Sequence, residues 1–284
     1  MITIAQIING VVIGSGYALL ALGWTLLLGA ARVVNFAHGQ FYMIGAFVTW
    51  WFMTMTGAPY LVSLVVALVV AGLVGMLMQR VILGMTIEHD LVRIMIVTLG
   101  FSYVLSSLAT LIFGGNAQRV ISPFQEIYVD VAGVRLSVQD IIVVVLALVL
   151  FTVTYFVVQG TRLGRVIRAV AEDPKLAELG GLRPAQVYIT VFAFSTVLAA
   201  LAGALLTARS PVFTTVGGEQ VLLTFVIVVL GGVGRIWGNL LAALGVGLFT
   251  SIFGALVSPA YTTGVLFAIV LLLFIIRPRG VQVQ

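Results

Sequence analysis

The chain has 284 residues, 62% of them hydrophobic and 8% charged, with a mean hydropathy of +1.23, a formal net charge of +5 and no cysteine. This composition lies far outside that of a soluble globular domain, and the missing thiols exclude a disulfide scaffold and a thiolate metal centre. The chain reads as an all-α polytopic membrane protein whose positive charge follows membrane orientation and has no nucleic-acid meaning.

Residues 1–6 carry no basic stretch, and no small-residue cleavage pattern follows at signal-peptide spacing, so the first apolar segment is expected to be retained. Crossing a hydrocarbon core about 30 Å thick takes roughly 17 to 25 apolar residues. Nine runs qualify or come close: residues 4–29, 39–55, 61–78, 91–113, 141–158, 185–208, 220–230, 240–257 and 262–276. The run at 220–230 is short, and reads either as a half-helix or as a helix that continues into the glycines after it. Eight or nine spanning segments in one domain over residues 1–284 are expected.

Basic residues set the orientation. If every run spans, one side holds the eleven residues Arg32, Arg80, Arg93, Arg162, Arg165, Arg168, Lys175, Arg183, Arg235, Arg277 and Arg279, and the other the three residues Arg119, Arg135 and Arg209. The N-terminus is then outside and the C-terminus cytoplasmic.

Two breaks interrupt the apolar pattern, one from Arg32 through Asn35 and His38 to Gln40, the other from Gly231 through Arg235 to Asn239. Both contain an arginine and end in glycine plus an amide residue. Glycine-broken helices with polar side chains are tolerated at membrane depth only beside protein or a watery path. The pair therefore reads as a distant parallel repeat flanking such a path; ordinary inside loops are the plain alternative. Polar residues within the runs, such as Asn9, Ser15, Tyr17, Thr25, Thr98, Ser102, Ser195 and Thr196, are expected to bond a carbonyl one turn back or a neighbouring helix. Gly10 with Gly14 and Ala199 with Gly203 have the spacing of close helix contacts. His38 is expected to be a hydrogen-bonded structural histidine rather than a proton relay.

The longest charged stretch runs over residues 160–183. Arg162, Arg165 and Arg168 recur every third residue and form a basic stripe on a helix. Asp173 followed by Pro174 reads as an N-cap and an N1 proline, opening a short second helix that ends at Gly180 and Gly181. Leu176 and Leu179 give that helix an apolar side. Either this is a solvated, orienting loop or it is a docking helix for a cytoplasmic partner.

Absent features narrow the function. No Asp or Glu lies inside an apolar run, which disfavours ion-driven transport. The only lysine, Lys175, stands in DPKLAE, so there is no phosphate-binding loop, and no catalytic triad or metal constellation is present. Energy for uphill transport would have to arrive from another chain.

The sequence resembles the permease subunits of branched-chain amino-acid ATP-binding-cassette importers, the LivH-like family. The resemblance rests on Asn35-Phe-Ala-His38-Gly39 with Tyr42 to Gly45, on Arg168-Ala169-Val-Ala171-Glu172-Asp173 with Ala177 and Gly181, and on Leu230 to Gly234. It runs from Asn9-Gly10 to Arg277-Pro278-Arg279-Gly280. Pro174 and the doubled glycine at Gly180 are small departures.

The resemblance implies a non-catalytic permease domain in the bacterial inner membrane, with a second homologous permease, two cytoplasmic ATPases that bind ATP and Mg, and a periplasmic or extracellular substrate-binding protein; this chain binds no cofactor. It implies a coupling helix over 172–181, with Arg168, Ala169, Ala171, Glu172, Asp173, Pro174, Leu176, Ala177, Leu179 and Gly181 in or beside it. It places Asn35, His38, Gln40 and Asn239 at the translocation path. An outer surface over 114–140, with Arg119, Glu126, Asp130 and Arg135, plus Arg209 and Glu219, would receive the binding protein. Branched-chain amino acids are the expected cargo; relatives carry urea, short amides or aromatic carboxylates. A passive channel for a small neutral solute and a pathless assembly protein are the other classes the residues permit.

Overall fold

The computed structural model describes residues 4–31, 33–83, 91–131 and 133–276; Arg32 and the Arg277 to Gly280 end of the resemblance lie outside the described residues. Every apolar run is a helix: α1 (Ile4–Ala31), α2 (His38–Thr56), α3 (Tyr60–Met78, continued by a π turn over Gln79–Leu83), α4 (Leu91–Phe113), α5 (Val138–Gly160), α8 (Pro184–Leu206), α9 (Val216–Gly231), α10 (Ile236–Leu256) and α11 (Pro259–Ile276). Between α5 and α8 lie the short helices α6 (Arg162–Glu172) and α7 (Pro174–Leu179). Six of the helices, in α1, α3, α4, α5, α8 and α10, are long and apolar enough to cross a membrane.

The all-α reading holds, with one short hairpin added at the edge of the bundle. Residues before α5 form an antiparallel hairpin, β1 (Tyr128–Val131) with β2 (Val134–Ser137), in which Val129 faces Leu136 and Asp130 faces Arg135. Gly133 makes the turn at a φ of 79°, where a side chain would be strained.

α1 is the hub of the core. Its residues Ala18 to Leu22, Trp24 and Leu27 are at most 1% exposed. Packing against α10 depends on missing side chains: a Cβ on Gly10 would stand 2.8 Å from Leu248 Cα, and one on Gly14 2.8 Å from Leu244 Cα. Gly247 closes the same seam against Gly14. A second seam joins α2 to α8, where Gly45 lies on the backbone of Ala200 and Gly203 on the carbonyl of Tyr42. Apolar helices gain nothing by leaving lipid, so close packing of this kind is what holds them together. The outward faces stay equally oily: along α3, Leu61, Val65, Val69, Leu73 and Leu77 are all 55% exposed or more.

The two ends of the bundle differ. The hairpin opens one end of α5 and α6 leaves the other. At the hairpin end, Gln139 bridges elements, donating to the Leu205 carbonyl (3.0 Å) and accepting from Ser122 Oγ (2.9 Å). Arg209 pairs with Asp140 there at 2.9 Å and donates to Asn9 Oδ1 at 2.7 Å. Asn9 in turn donates to Ser251, and Ser251 to the Gln6 carbonyl.

Candidate functional site

At the α6 end the chain builds a small, well-capped projection. Thr161 caps α6 by accepting from the Gly164 N–H (3.2 Å), and Gly164 packs on the carbonyls of Val157 and Val158, so the chain turns sharply out of α5. The Arg168 guanidinium donates to the Val158 carbonyl across this turn. Asp173 then caps α7, its carboxylate accepting from the N–H groups of Lys175 (2.9 Å) and Leu176 (3.0 Å), with Pro174 at the first helical position. Such a cap contributes about 1 kcal/mol. The left-handed stop falls on Gly181 alone, at a φ of 83°; Gly180 is at −77° and closes the last turn onto the Leu176 carbonyl.

Burial divides this projection into an anchor and a free surface. Ala177 packs with Val170 and Tyr188 in a small separate core that Ala31 and Leu182 adjoin, which fastens α7 to the ends of α1 and α8. Leu176 and Leu179, by contrast, are 66% and 86% exposed. Arg162, Arg165, Arg168, Ala169, Glu172 and Asp173 are exposed around them, while Ala171 is half-buried. A surface with two bare leucines ringed by charge suits a groove on a partner protein.

The four residues expected at the path are all buried, with Gln40 the most exposed at 3%, and each bonds a different neighbour. Asn35 accepts from the Ala37 N–H (2.9 Å), folding residues 33–37 into the start of α2. His38 Nε2 donates to the Leu20 carbonyl (3.0 Å), while its ring stacks on Trp24 and its Nδ1 stands 3.4 Å from Ser195 Oγ. This is the structural histidine that the sequence favoured. Gln40 donates to Ser102 (2.9 Å), and Asn239 to Thr25 (2.6 Å). These side chains therefore fix the helix breaks to their neighbours and present no open wall.

The two breaks are not equivalent. The first carries the chain back along α1, so that α2 begins beside Leu20 and Gly23. The second is a tight turn, with Gly232 at φ 91° and Gly234 at φ 77°, lying against Gly29 near the end of α1. The counterpart of the first break is one that composition did not reveal, residues 207–215. This segment runs beside α4, where Thr110 donates to Thr214 Oγ1 (2.8 Å) and Ser106 to the Thr214 carbonyl (3.0 Å). It delivers the start of α9 to the start of α2, Gly217 against Gly39 and the Gln40 side chain.

Of the residues expected to receive a binding protein, Glu126, Asp130 and Arg135 are exposed at the hairpin end, the last two joined by a 3.7 Å ion pair. Arg119 is exposed too and donates to the Ala208 carbonyl (3.3 Å). Arg209 is turned inward, three-quarters buried and occupied by Asp140 and Asn9. Glu219 is exposed in the first turn of α9. α5 and α9 begin before their apolar runs, so that Asp140 and Glu219 sit in their first turns.

This oily bundle, with helix breaks inside it and a capped projection at one end, is the architecture of a membrane permease. Residues 6–275 match the family model described as branched-chain amino acid transport system / permease component. The chain is 31% identical to the high-affinity branched-chain amino acid transport system permease protein LivH of Escherichia coli, over 97% of this chain and 94% of that one. It is 30% identical to BraD of Pseudomonas aeruginosa over the same shares, and 28% identical to LivM of Salmonella typhimurium over 80% of this chain and 59% of that one. No solved structure matches. The chain belongs to the family of branched-chain amino acid transport permease components.

Proposed function

We propose that this chain is one permease subunit of an ATP-driven importer of branched-chain amino acids in the bacterial inner membrane. A second, related permease completes the path, an external binding protein delivers the amino acid, and two cytoplasmic ATPases supply the work with ATP and Mg bound to them. All nine long helices cross or enter the bilayer, which puts the α6–α7 projection and its arginines in the cytoplasm, as the excess of basic residues there favours. The hairpin then faces the binding protein.

The observation that carries the coupling role is the projection itself, with Leu176 and Leu179 bare and Ala177 anchored. Seated in a groove of an ATPase, those leucines are desolvated while the Asp173 cap and the Val170–Tyr188 core keep α7 rigid. Closure of the ATPases on ATP then moves α7 and, through Ala177 and the Thr161 turn, the ends of α1, α5 and α8. The internal contacts of His38, Gln40 and Asn239 hold the starts of α2 and α10 in register as those helices shift.

The test is uptake by the reconstituted importer. Leu176→Asp should leave the subunit inserted but remove ATP-dependent leucine uptake and weaken ATPase retention on purification. Undiminished uptake would count against the coupling role, and leucine flux through this subunit alone without nucleotide would point to a channel.

A further inference from the structure

The first turn of α9 holds a carboxylate at a depth where membrane proteins seldom show one. Two contacts fix that depth along α1: Gly217 lies on Gly39, next to His38, which bonds Leu20, and Phe225, one to two turns past Glu219 along α9, meets Trp24 at 5.8 Å between ring centroids. This sets Glu219 about level with Tyr17 and Ala18 at ~1.5 Å per residue along both helices. Asn9, bonded to Arg209, marks the hairpin end of α1, and Gly29, against Gly234, marks the opposite end. At ~1.5 Å per residue, Tyr17 is roughly 12 Å from the first and 18 Å from the second. Glu219 is near mid-depth.

It is also uncovered. Gly218, Glu219, Leu222 and Phe225 form an exposed stripe at helical spacing, with Leu222 at 48% and Phe225 at 39%, while Val221, Thr224 and Val228 turn inward. Among the described residues no lysine or arginine forms an ion pair with Glu219. A charged side chain facing lipid at the bilayer centre costs several kcal/mol, so such residues face protein or water. An open subunit face bearing this carboxylate is therefore covered by another subunit or by water.

We propose that Glu219 lines the translocation path and receives the α-ammonium group of the amino acid in transit, with Leu222 and Phe225, one and two turns nearer the α6 end, taking its apolar side chain. This rests on the importer reading given above. The zwitterion brings a positive charge to a site with no other described cation, and the stripe continues from charge to oil in the direction of import.

Three variants of Glu219 test it in the reconstituted importer, each first recovered as intact complex by affinity purification. Glu219→Gln is expected to lower ATP-dependent leucine uptake at least tenfold, and Glu219→Asp to restore part of it. Glu219→Cys introduces a thiol into a subunit that has none, and sulfonatoethyl methanethiosulfonate should modify it from water, more slowly with leucine-loaded binding protein present. Unchanged uptake in Glu219→Gln overturns the ammonium contact whether or not the cysteine reacts. Lost uptake with an unreactive cysteine also overturns it, because the carboxylate then serves a buried contact with the second permease. The unaltered complex and Leu176→Asp in the same assay separate the readings: if the unaltered complex shows no ATP-dependent leucine uptake, the importer reading falls; if Leu176→Asp abolishes uptake while Glu219→Gln does not, only this inference falls.

Discussion

Arg209 and Asp140 stand 2.9 Å apart at the hairpin end of the bundle, with side chains only 25% and 15% exposed, and Asn9 takes a second hydrogen from the same guanidinium. The pair is an electrostatic contact outside hydrogen-bond alignment, since Asp140 Oδ1 has no hydrogen-bond partner. It ties α5, α1 and the segment before α9 together, because Arg209 lies just past the end of α8.

Breaking that pair should cost more than an exposed pair would, since the remaining charge is left partly desolvated. Arg209→Ala is expected to lower stability by about 2 kcal/mol, seen as a lower melting temperature of the purified subunit in detergent. The double variant Arg209→Met with Asp140→Leu should recover part of the loss, and strict additivity of the two single changes would deny the coupling.

Side chains added at the glycine seams should be poorly tolerated. At Gly14 a Cβ meets Leu244 backbone, which cannot rotate away. Gly14→Val is expected to destabilise by about 1–3 kcal/mol or more and to reduce the yield of folded subunit, whereas Gly100→Ala, at a helical glycine with open space beside it, should be silent. Equal yields for both would remove the case for the α1–α10 seam.

Asp173→Ala removes the acceptor for two N–H groups at the start of α7. A loss of about 1 kcal/mol is expected, small for the whole subunit but large for a helix of six residues. If α7 couples the subunit to an ATPase, that enzyme's activity in the assembled complex should become less dependent on the loaded binding protein while the melting temperature hardly moves. Asp173→Asn, which keeps a capping oxygen, should preserve the coupling.

Charge reversal at the hairpin tip offers a contrast. Asp130 and Arg135 are 71% and 81% exposed, so swapping the two should change stability by less than about 1 kcal/mol. If the hairpin meets a binding protein, the swap slows association and alters its salt dependence, which stopped-flow mixing at two ionic strengths would read.

Much of this architecture is written in local pattern. Nine apolar runs became nine helices because length and oiliness are properties of the segment itself, and the Asp173-Pro174 cap was legible for the same reason. Gly10 with Gly14 and Ala199 with Gly203 announced close contacts; their partners, Leu248, Leu244 and Tyr42, depend on the tertiary arrangement and leave no local trace. Residues 207–215 illustrate the limit. Their polar, proline-containing sequence resembles an outer loop, yet Thr214 is 2% exposed and bonded to α4. A segment whose polar groups are satisfied by neighbouring helices reads the same as one satisfied by water. For the same reason the sequence did not show that Asn35, His38, Gln40 and Asn239 are enclosed by neighbouring helices.

α5 has no glycine or proline from Val138 to Gln159, and it is fused at one terminus to the hairpin and at the other, through the Thr161 turn, to α6. It behaves as a stiff rod about 34 Å long at ~1.5 Å per residue, with nothing along it to absorb a tilt. Pressure on the hairpin and pressure on the α6–α7 projection are thus delivered to opposite ends of one lever, so that each can be felt at the other without any signal having to pass through the buried polar junction at all.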